Sequence, residues 1–398
     1  MLSVDDALDA ILSDVKALDA ETVELTDLPG RVAAEDIVAR STQPPFAASA
    51  MDGYAVRHKD AKKGAALTVV GEAPAGSPFD GSVGAGEAVR IFTGGAVPRG
   101  ADHVVIQEET AREGETVTIE ADQPAPSNVR RAGVDFRARD KLVAAGTMLH
   151  AVHPSVVAAA NVDEAEVVRR PRFALFSNGD ELRTPGDKLK PGEIVNANHY
   201  ALRALATDWG AVPRYLGCAP DDEETITDYF RRAKDADVVS PVGGASVGDF
   251  DFVKSAFRAA GGEIVFEKIA VKPGKPTWFG RLGNARVVGL PGNPASAIVT
   301  AVLFVRPLIE RLAGRASPGM RTETAVLDGP VPENGPREAY LRATAAPRDD
   351  GRLGVAAAPN QDSSLLSPFA ACNCLIKRLP NAPAEEVDAI VSIVRLRD

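Results

Sequence analysis

Three polar, glycine-containing turns follow apolar, strand-like runs between residues 173 and 294 of the 398-residue chain. They cover residues 177–181 (SNGDE), 243–251 (GGASVGDFD) and 289–294 (GLPGNP). In an open parallel sheet the turns at the carboxyl ends of the strands meet at one edge, where ligands bind. Glycine there lets backbone N–H groups approach a ligand, and the third turn opens a helix with Pro294 in its first turn, which favours an anion. These turns predict a nucleotide or phosphate site; ordinary strand-to-helix connections are the alternative.

Carboxylates lie in or beside the same turns. They belong to Asp180, Glu181, Asp221, Asp222, Asp249 and Asp251. Carboxylates next to bound phosphates usually hold Mg²⁺, which takes one or two of them together with phosphate oxygens and water. At least one of Asp221 and Asp222 is expected to cap the following helix. No such capping role accounts for Glu181 or Asp251.

The segment Lys268–Pro276 (KIAVKPGKP) supplies the opposite charge, with three lysines restrained by two prolines and one glycine. We expect a fixed cationic loop suited to an oxyanion, with a merely solvated loop as the alternative. A second distinctive segment, Pro44–Ala55 (PPFAASAMDGYA), contains the lone Asp52. It is either a simple turn or a segment that reaches into a site across a dimer interface.

Alternating strand and helix patterns over residues 172–315 position the three turns. The predicted strands are Phe173–Ser177, Arg214–Cys218, Val238–Val242, Ile264–Ile269 and Val287–Leu290, and the predicted helices are His199–Trp209, Glu223–Lys234, Phe252–Ala260 and Ala295–Leu312. Such alternation predicts a parallel sheet covered by helices on both faces.

The rest of the chain is predicted to surround this α/β region. Apolar residues at helical spacing predict a helix within Val4–Leu18 with Ser3 as its N-cap. Short β-type runs between residues 41 and 126 predict an inserted β-rich module. Beyond residue 318, five strand-like runs predict a small C-terminal β-domain.

Composition excludes several classes of protein. A formal net charge of −10 argues against nucleic-acid binding, and the longest apolar stretch, Ala297–Val305, is too short to span a membrane. The acidic N-terminus has no signal-peptide pattern, which predicts a soluble, cytoplasmic protein. The three cysteines form no CxxC pair, so reduced structural cysteines are expected; a soft-metal site at Cys372 and Cys374 is the weaker alternative.

Six segments together resemble the MoeA / gephyrin E-domain family, the molybdopterin molybdenumtransferases. They are Pro44–Ala55, Phe92–Asp102 (FTGGAVPRGAD), Phe176–Leu182 (FSNGDEL), Gly243–Phe252 (GGASVGDFDF), Lys268–Pro276 and Gly289–Ser296 (GLPGNPAS). They follow the family order and span most of the chain.

The resemblance implies a multi-domain α/β fold. Its expected parts are a helical/linker domain (1–44 and 141–170), an inserted β-rich domain (45–140), a MogA-like α/β domain with a parallel-type sheet (171–316) and a C-terminal β-barrel (317–398). Family members are elongated homodimers. Their active cleft lies between the α/β domain of one subunit and the inserted domain of the other.

The resemblance also implies the reaction. The family inserts molybdate into the dithiolene of adenylated molybdopterin and releases AMP and the molybdenum cofactor, with a divalent cation that is usually Mg²⁺. Expected partners are a MogA-like protein that adenylates molybdopterin and molybdoenzyme maturation proteins.

Functional residues of the family can be carried over position by position. The implied catalytic residues are Asp52, Thr93, Asp135, Glu181, Asp221, Asp251, Lys268 and Lys272, with Glu181 and Asp251 at the cation. The implied substrate-binding residues are Gly243, Gly244, Ser246, Lys275, Pro276, Pro291, Asn293, Pro294, Ser296, Arg342 and Ser363. Lys272, Lys275 and Arg342 would neutralise molybdate and phosphate.

Several positions depart from the family pattern: Val134, Asn178, Pro241-Val242 and Asp362. The usual residues are Glu at 134, Thr at 178, a small polar pair at 241–242 and Gly at 362. Asp362 would add negative charge beside the implied oxyanion pocket.

Other hypotheses are an adenylyltransferase that activates molybdopterin, a non-catalytic scaffold and a tungstate-preferring paralogue. The KPGKP segment and the absence of an extra linker count against the first two.

Overall fold

The computed structural model describes residues 1–243, 252–316 and 319–396. Within these ranges, three six-stranded sheets organise the protein, one in the inserted β-rich region, one in the α/β region and one in the C-terminal region. Short 3₁₀ helices connect some of their elements: Leu25–Asp27, His58–Asp60, Gln107–Glu109 and Ser367–Ala370.

The N-terminal helix spans Val4–Leu12 and buries Val4, Ala7 and Ile11. As predicted, the Ser3 hydroxyl caps it by accepting a hydrogen bond from the Asp6 backbone N–H at 3.0 Å. The helix occupies the first part of the predicted range Val4–Leu18.

Small sheets join the segments that precede and follow the inserted β-rich region. A three-stranded antiparallel sheet joins Ala20–Glu24, Glu164–Val168 and Val32–Ala33, and Ile37–Val38 pairs with Lys141–Val143. A short helix, His153–Ala159, packs beside them. Residues on both sides of the inserted region therefore belong to one structural unit.

The inserted region is a β-sheet with two short flanking strands. Its strands are Ala48–Ser49, Gly53–Val56, Ala66–Ala73, Glu87–Ile91, His103–Ile106, Thr110–Glu113, Thr116–Ile119 and Val129–Arg130. Gly53 pairs between Ile91 and Ile106, and a Cβ at this position would lie 2.0 Å from the Val105 carbonyl oxygen. Glycine is required beside Asp52 because two strands close on the backbone there.

The α/β sheet has strands, in spatial order, Val212–Ala219, Arg172–Asn178, Val238–Val242, Ala285–Gly289, Trp278–Leu282 and Glu263–Phe266. The helices are Asn198–Asp208, Glu223–Arg232, Phe252–Ala259 and Pro294–Thr300, the last continuing as a π-helical segment Ala301–Val305 and a helix Arg306–Leu312. Short strands Leu182–Arg183 and Ile194–Val195 pair in parallel outside the main sheet.

The sheet is mainly parallel, as predicted, with one antiparallel strand that the sequence did not indicate. Trp278–Leu282 runs antiparallel to both of its neighbours. Leu282 pairs with Ala285, so only Gly283 and Asn284 separate the two strands, and Gly283 adopts φ +58°. A two-residue connection of this kind reverses the chain at once.

Alternate side chains of the strand Arg172–Asn178, the second in the sheet, enter two different hydrophobic cores. Phe173 and Leu175 belong to the core that includes the N-terminal helix and helix 294–312, whereas Ala174 and Phe176 pack with helices 223–232 and 252–259. Helices therefore cover both faces of the sheet, as predicted.

The C-terminal strands form a closed five-stranded barrel. They are Thr322–Leu327, Glu338–Pro347, Leu353–Ala357, Cys374–Arg378 and Ile390–Arg395. Glu338–Pro347 closes the barrel because it pairs with both Leu353–Ala357 and Cys374–Arg378. It also pairs with Val271–Lys272, so the barrel is joined to the cationic loop. The barrel prediction is confirmed.

Among the described residues, no helix combines the length and apolar character that crossing a bilayer requires.

Candidate active site

A cavity of about 810 Å³ opens at the carboxyl ends of the α/β strands. It is lined by these residues implied by the family resemblance: Glu181, Asp221, Gly243, Lys268, Lys275, Pro276, Pro291, Asn293 and Pro294. Parts of the three turns and of the cationic loop, separated by more than 100 residues of sequence, therefore meet at one site, where an α/β sheet ordinarily binds its ligand.

One wall of the cavity carries carboxylates from two adjacent turns. Asp221 follows the strand Val212–Ala219, and its carboxylate accepts a hydrogen bond from Nδ2 of Asn178 at 3.1 Å. Glu181 is exposed, and its carboxylate makes no hydrogen bond or ion pair within the described ranges. Asp222 points elsewhere, because it caps the helix Glu223–Arg232 by accepting from the Thr225 backbone N–H at 2.8 Å.

The opposite charge comes from Lys268 and Lys275, which the backbone brings together. The Ile269 N–H donates to the Lys275 carbonyl at 3.1 Å, closing the loop between the two lysines. The Ala270 N–H donates to the Leu2 carbonyl at 2.8 Å, and the Ala270 carbonyl accepts from Glu338 at 2.9 Å. The N-terminus and the barrel thus hold the loop in place, which confirms the predicted fixed geometry.

Lys272 lies outside the lining of the cavity. It is exposed on the short strand that pairs with the barrel.

The third turn is closed by a loop of the barrel. Asn293 precedes the helix and Pro294 is its first residue, as predicted. The Ala295 N–H donates to the Ser363 carbonyl at 3.0 Å, and Nδ2 of Asn293 donates to the Ser363 hydroxyl at 3.1 Å. The neighbouring Ser364 lines the cavity. Ser296 is buried in the helix and is not part of the lining.

Arg342 lies outside the cavity lining, where its side chain holds the barrel loop just described. Its side chain is 2% exposed and donates to the carbonyl oxygens of Leu365 at 2.7 Å and Asp362 at 2.8 Å. Burial lowers the pKa of the Arg342 guanidinium. The Asp362 carboxylate is engaged within its own loop, since it accepts from the backbone N–H and the hydroxyl of Ser364 at 2.8 and 2.7 Å. This departure from the family pattern therefore has a local structural role.

Asp52 and Thr93 form a separate pair in the inserted region. Oδ1 of Asp52 accepts from the Thr93 backbone N–H at 2.7 Å and from its hydroxyl at 2.8 Å, and these bonds lower the pKa of Asp52. Asp135 is exposed in a neighbouring turn. None of the three lines the α/β cavity of the same chain.

Three of the implied site residues, Gly244, Ser246 and Asp251, lie outside the described residues. Within the described ranges, no group of three or more His, Cys, Asp or Glu side chains is placed to hold a metal ion. Cys372 is half-buried and Cys374 is buried.

Sequence reasoning missed a polar network under the cavity. Ser177 and Asn196 line the cavity and are joined by a 3.0 Å hydrogen bond, and Nδ2 of Asn196 donates to the Tyr215 hydroxyl at 2.9 Å. His199 stacks on Tyr215 with ring centroids 3.9 Å apart, and burial lowers the pKa of His199. The available signal was a pair of asparagines, Asn196 and Asn198, at the start of a predicted helix. Nδ2 of Asn198 donates to the Gly292 carbonyl at 2.7 Å.

Three family models match the chain in order. The MoeA N-terminal region (domain I and II) matches residues 2–161, the probable molybdopterin binding domain matches residues 176–311, and the MoeA C-terminal region (domain IV) matches residues 324–391. A curated protein of Haemophilus influenzae, named molybdopterin molybdenumtransferase, is 35% identical over 383 residues, which is 94% of each chain. The chain belongs to the MoeA family.

Further relatives agree with this membership. A MoeA-family protein of Nostoc sp., also named molybdopterin molybdenumtransferase, is 38% identical over 329 residues, covering 79% of this chain and 76% of the relative. The crystal structure of a molybdopterin biosynthesis MoeA protein from Pyrococcus horikosii matches with a TM-score of 0.86 and 28% identity over 100% of both chains. Membership confirms the predicted family, the multi-domain α/β fold with its barrel, and the transferase class.

Proposed function

We propose that this MoeA-family chain inserts molybdate into the dithiolene of adenylated molybdopterin and releases AMP and the molybdenum cofactor. The observation that carries the proposal is the cavity itself. It places Lys268 and Lys275 together with Glu181 and Asp221 in the region matched by the probable molybdopterin binding domain. A large anionic substrate with a phosphoanhydride bond requires such a combination of cations and cation-binding carboxylates.

The lysines supply fixed positive charge to the substrate. Each ammonium group is a compact charge with three donors, suited to phosphate or molybdate oxygens. Because the backbone of the loop is held at both ends, the charges are in place before the substrate arrives, and such preorganisation stabilises developing negative charge. No nucleophilic side chain is required: an oxygen atom of molybdate or of water would form the new bond to the molybdopterin phosphate while the bond to AMP breaks, and positioning and charge stabilisation assist this step.

The carboxylates fit a hard divalent cation. The Glu181 carboxylate is exposed at the cavity and makes no hydrogen bond or ion pair within the described ranges, so its oxygen atoms are available as ligands for Mg²⁺. We propose Glu181 as one ligand and Asp251 as the other. When bound, the cation would neutralise charge on the phosphate oxygens.

Arg342 and Ser363 act indirectly in this proposal. Arg342 anchors the loop that carries Ser363 and Ser364, and this loop forms one side of the cavity. Lys272 is proposed to reach the substrate from the edge of the site, whereas the buried Ser296 is proposed to act only through the helix that carries it. The domain boundaries stated above and a cytoplasmic location are also part of the proposal, as are the MogA-like and maturation partners.

A direct test compares two glutamates, each of which directly precedes one strand of the pair Leu182–Arg183 and Ile194–Val195. Glu181→Gln should fold normally and lose molybdate-dependent AMP release, because it removes a charge at the cavity. The matched control is Glu193→Gln, which removes the partner of Arg183 outside the cavity lining. Equal activity in the Glu181 variant and the wild type would remove the proposed cation site.

Asp52 and Thr93 are proposed to complete the cavity of a second subunit in a homodimer. Asp52→Asn and Glu181→Gln should each be inactive as homodimers, whereas a heterodimer of the two has one intact cleft and about half of the wild-type activity. An inactive heterodimer would place both residues in a site within one chain. A monomer in solution would also contradict the shared cleft.

The same assays separate the remaining alternatives. ATP-dependent adenylation of molybdopterin would favour the adenylyltransferase, and a folded dimer without either activity would favour a scaffold. Replacing molybdate by tungstate in the AMP assay determines the preference between the two oxyanions.

A further inference from the structure

Asn178 lies on the wall of the cavity that carries the carboxylates of Glu181 and Asp221. It is the last residue of the strand Arg172–Asn178, it lines the cavity, and its side chain is almost fully buried, with 5% of the residue exposed. The family resemblance gives it no role, because the usual residue at this position is Thr. Its function must therefore be derived from its own contacts.

The Asn178 side chain has one polar contact within the described ranges. Nδ2 donates to Oδ1 of Asp221 at 3.1 Å, whereas the buried Oδ1 of Asn178 has no hydrogen-bond partner there. A buried amide oxygen without a hydrogen-bond partner costs free energy, so the bond donated by the other end of the amide is the reason for an Asn at this position. Turning the amide over would place its oxygen against a carboxylate, so the Asp221 carboxylate sets the orientation of the amide.

Close packing prevents the side chain from moving away. A Cβ at Gly243 would lie 3.0 Å from Oδ1 of Asn178 and 2.7 Å from its carbonyl oxygen, so the two residues are already in close contact. On the other side, the Asp221 backbone N–H donates to Oδ1 of Asp180 at 3.2 Å, which ties the two turns together. Asn178 is confined between Gly243 and the carboxylate that it holds.

The Asp221 carboxylate depends on this contact. Within the described ranges, the bond from Asn178 is the only hydrogen bond that its carboxylate accepts. Without it, the short side chain of Asp221 can rotate freely at the mouth of the turn.

We propose that Asn178 is a positioning residue that orients the Asp221 carboxylate toward the substrate. The inference rests on the proposed function for the chemistry at Asp221. Asn178 acts through Asp221 and not by touching the reacting atoms. A threonine, with a shorter side chain, reaches less far from the strand, so this chain uses a different arrangement at the position.

The first part of the test measures the contact without any activity assay. Asn178→Asp keeps the shape of the side chain, removes the donor and places two carboxylates in contact, so it should lower the urea midpoint of the α/β region. The swap variant Asn178→Asp with Asp221→Asn restores one donor and one acceptor, and we expect it to recover at least half of the lost stability. The control, Asn198→Asp with Asp221→Asn, should show additive effects. A swap no more stable than the sum of its single changes would overturn the proposal.

The second part measures AMP release. Asn178→Asp should lower kcat about 10- to 100-fold with little change in KM, and the swap variant should not recover this loss because its carboxylate has moved. An unchanged kcat in a stably folded Asn178→Asp variant would also overturn the proposal. If the wild type itself releases no AMP, the proposed function fails, whereas the stability of the swap still decides whether Asn178 holds Asp221.

Discussion

Replacing Gly243 by alanine should destabilise the α/β region at the floor of the cavity. Gly243 adopts φ +116°, where an L-residue is strained, and a Cβ would meet both the carbonyl oxygen and Oδ1 of Asn178. The backbone strain costs about 1–2 kcal/mol. Overpacking against buried atoms adds about 1–3 kcal/mol, so the expected total lies at about 2–5 kcal/mol.

The control separates strain from crowding. Gly261 adopts φ +91°, and a Cβ at this position would meet nothing within 4 Å. Gly261→Ala should therefore cost only about 1–2 kcal/mol of unfolding free energy, from strain alone. The difference between the two variants measures the contact with Asn178.

The chain provides a suitable fluorescent signal for this assay. Its two tryptophans, Trp209 and Trp278, are both buried in the α/β region, so urea unfolding followed by tryptophan fluorescence monitors that region. We expect Gly243→Ala to be at least about 1 kcal/mol less stable than Gly261→Ala. Equal losses in the two variants would refute the close packing of Gly243 against Asn178.

Three further predictions concern pairs outside the cavity lining. Burial raises the pKa of Asp237, but hydrogen bonds from Arg169 at 2.7 and 2.8 Å outweigh this effect and the pKa is lowered overall. The ionised Asp237 carboxylate therefore stabilises the fold above about pH 4, and this stabilisation is lost as the pH falls through the lowered pKa. Asp237→Asn should lower the free energy of unfolding in urea by about 2–3 kcal/mol at pH 7 and by much less near pH 2. Equal losses at both pH values would contradict this prediction. Thr93→Val should raise the pKa of Asp52 toward its usual range and lower AMP release about tenfold, because it removes the hydroxyl donor. The control Thr93→Ser keeps the hydroxyl and should keep the activity. Equal activities of the two variants would contradict a role for the hydroxyl. Arg342→Met should accelerate hydrogen exchange at the amides of the 362–365 loop about 100-fold, because it removes the donors that hold the loop carbonyls. Mass spectrometry measures this exchange. An unchanged rate would show that the loop is held by other contacts.

Much of the α/β region was predictable because its signals are local. The strand Val238–Val242 has the predicted bounds, since five apolar or small residues end at a glycine pair. The strand Trp278–Leu282 was missed because it is short and follows directly after the cationic loop. Its direction depends on a two-residue connection, which a search for alternating strands and helices does not consider.

The candidate site was predictable in its turns but not in its side-chain contacts. Glycines, carboxylates and lysines at strand ends indicated where a ligand binds, and the cavity contains them. Whether Arg342 faces a cavity or holds a loop depends on tertiary packing, which spacing in the sequence does not reveal. The contact between Asn178 and Asp221 also requires two neighbouring strands to be aligned before it can be seen.

The stoichiometry of a single reaction decides whether the chain transfers molybdenum to adenylated molybdopterin. The purified protein is incubated with adenylated molybdopterin, Mg²⁺ and molybdate, and AMP and molybdenum-containing cofactor are quantified from the same sample. We expect equal amounts of the two products, and neither product when molybdate is omitted. AMP release without molybdate, or without the formation of molybdenum cofactor, would contradict it.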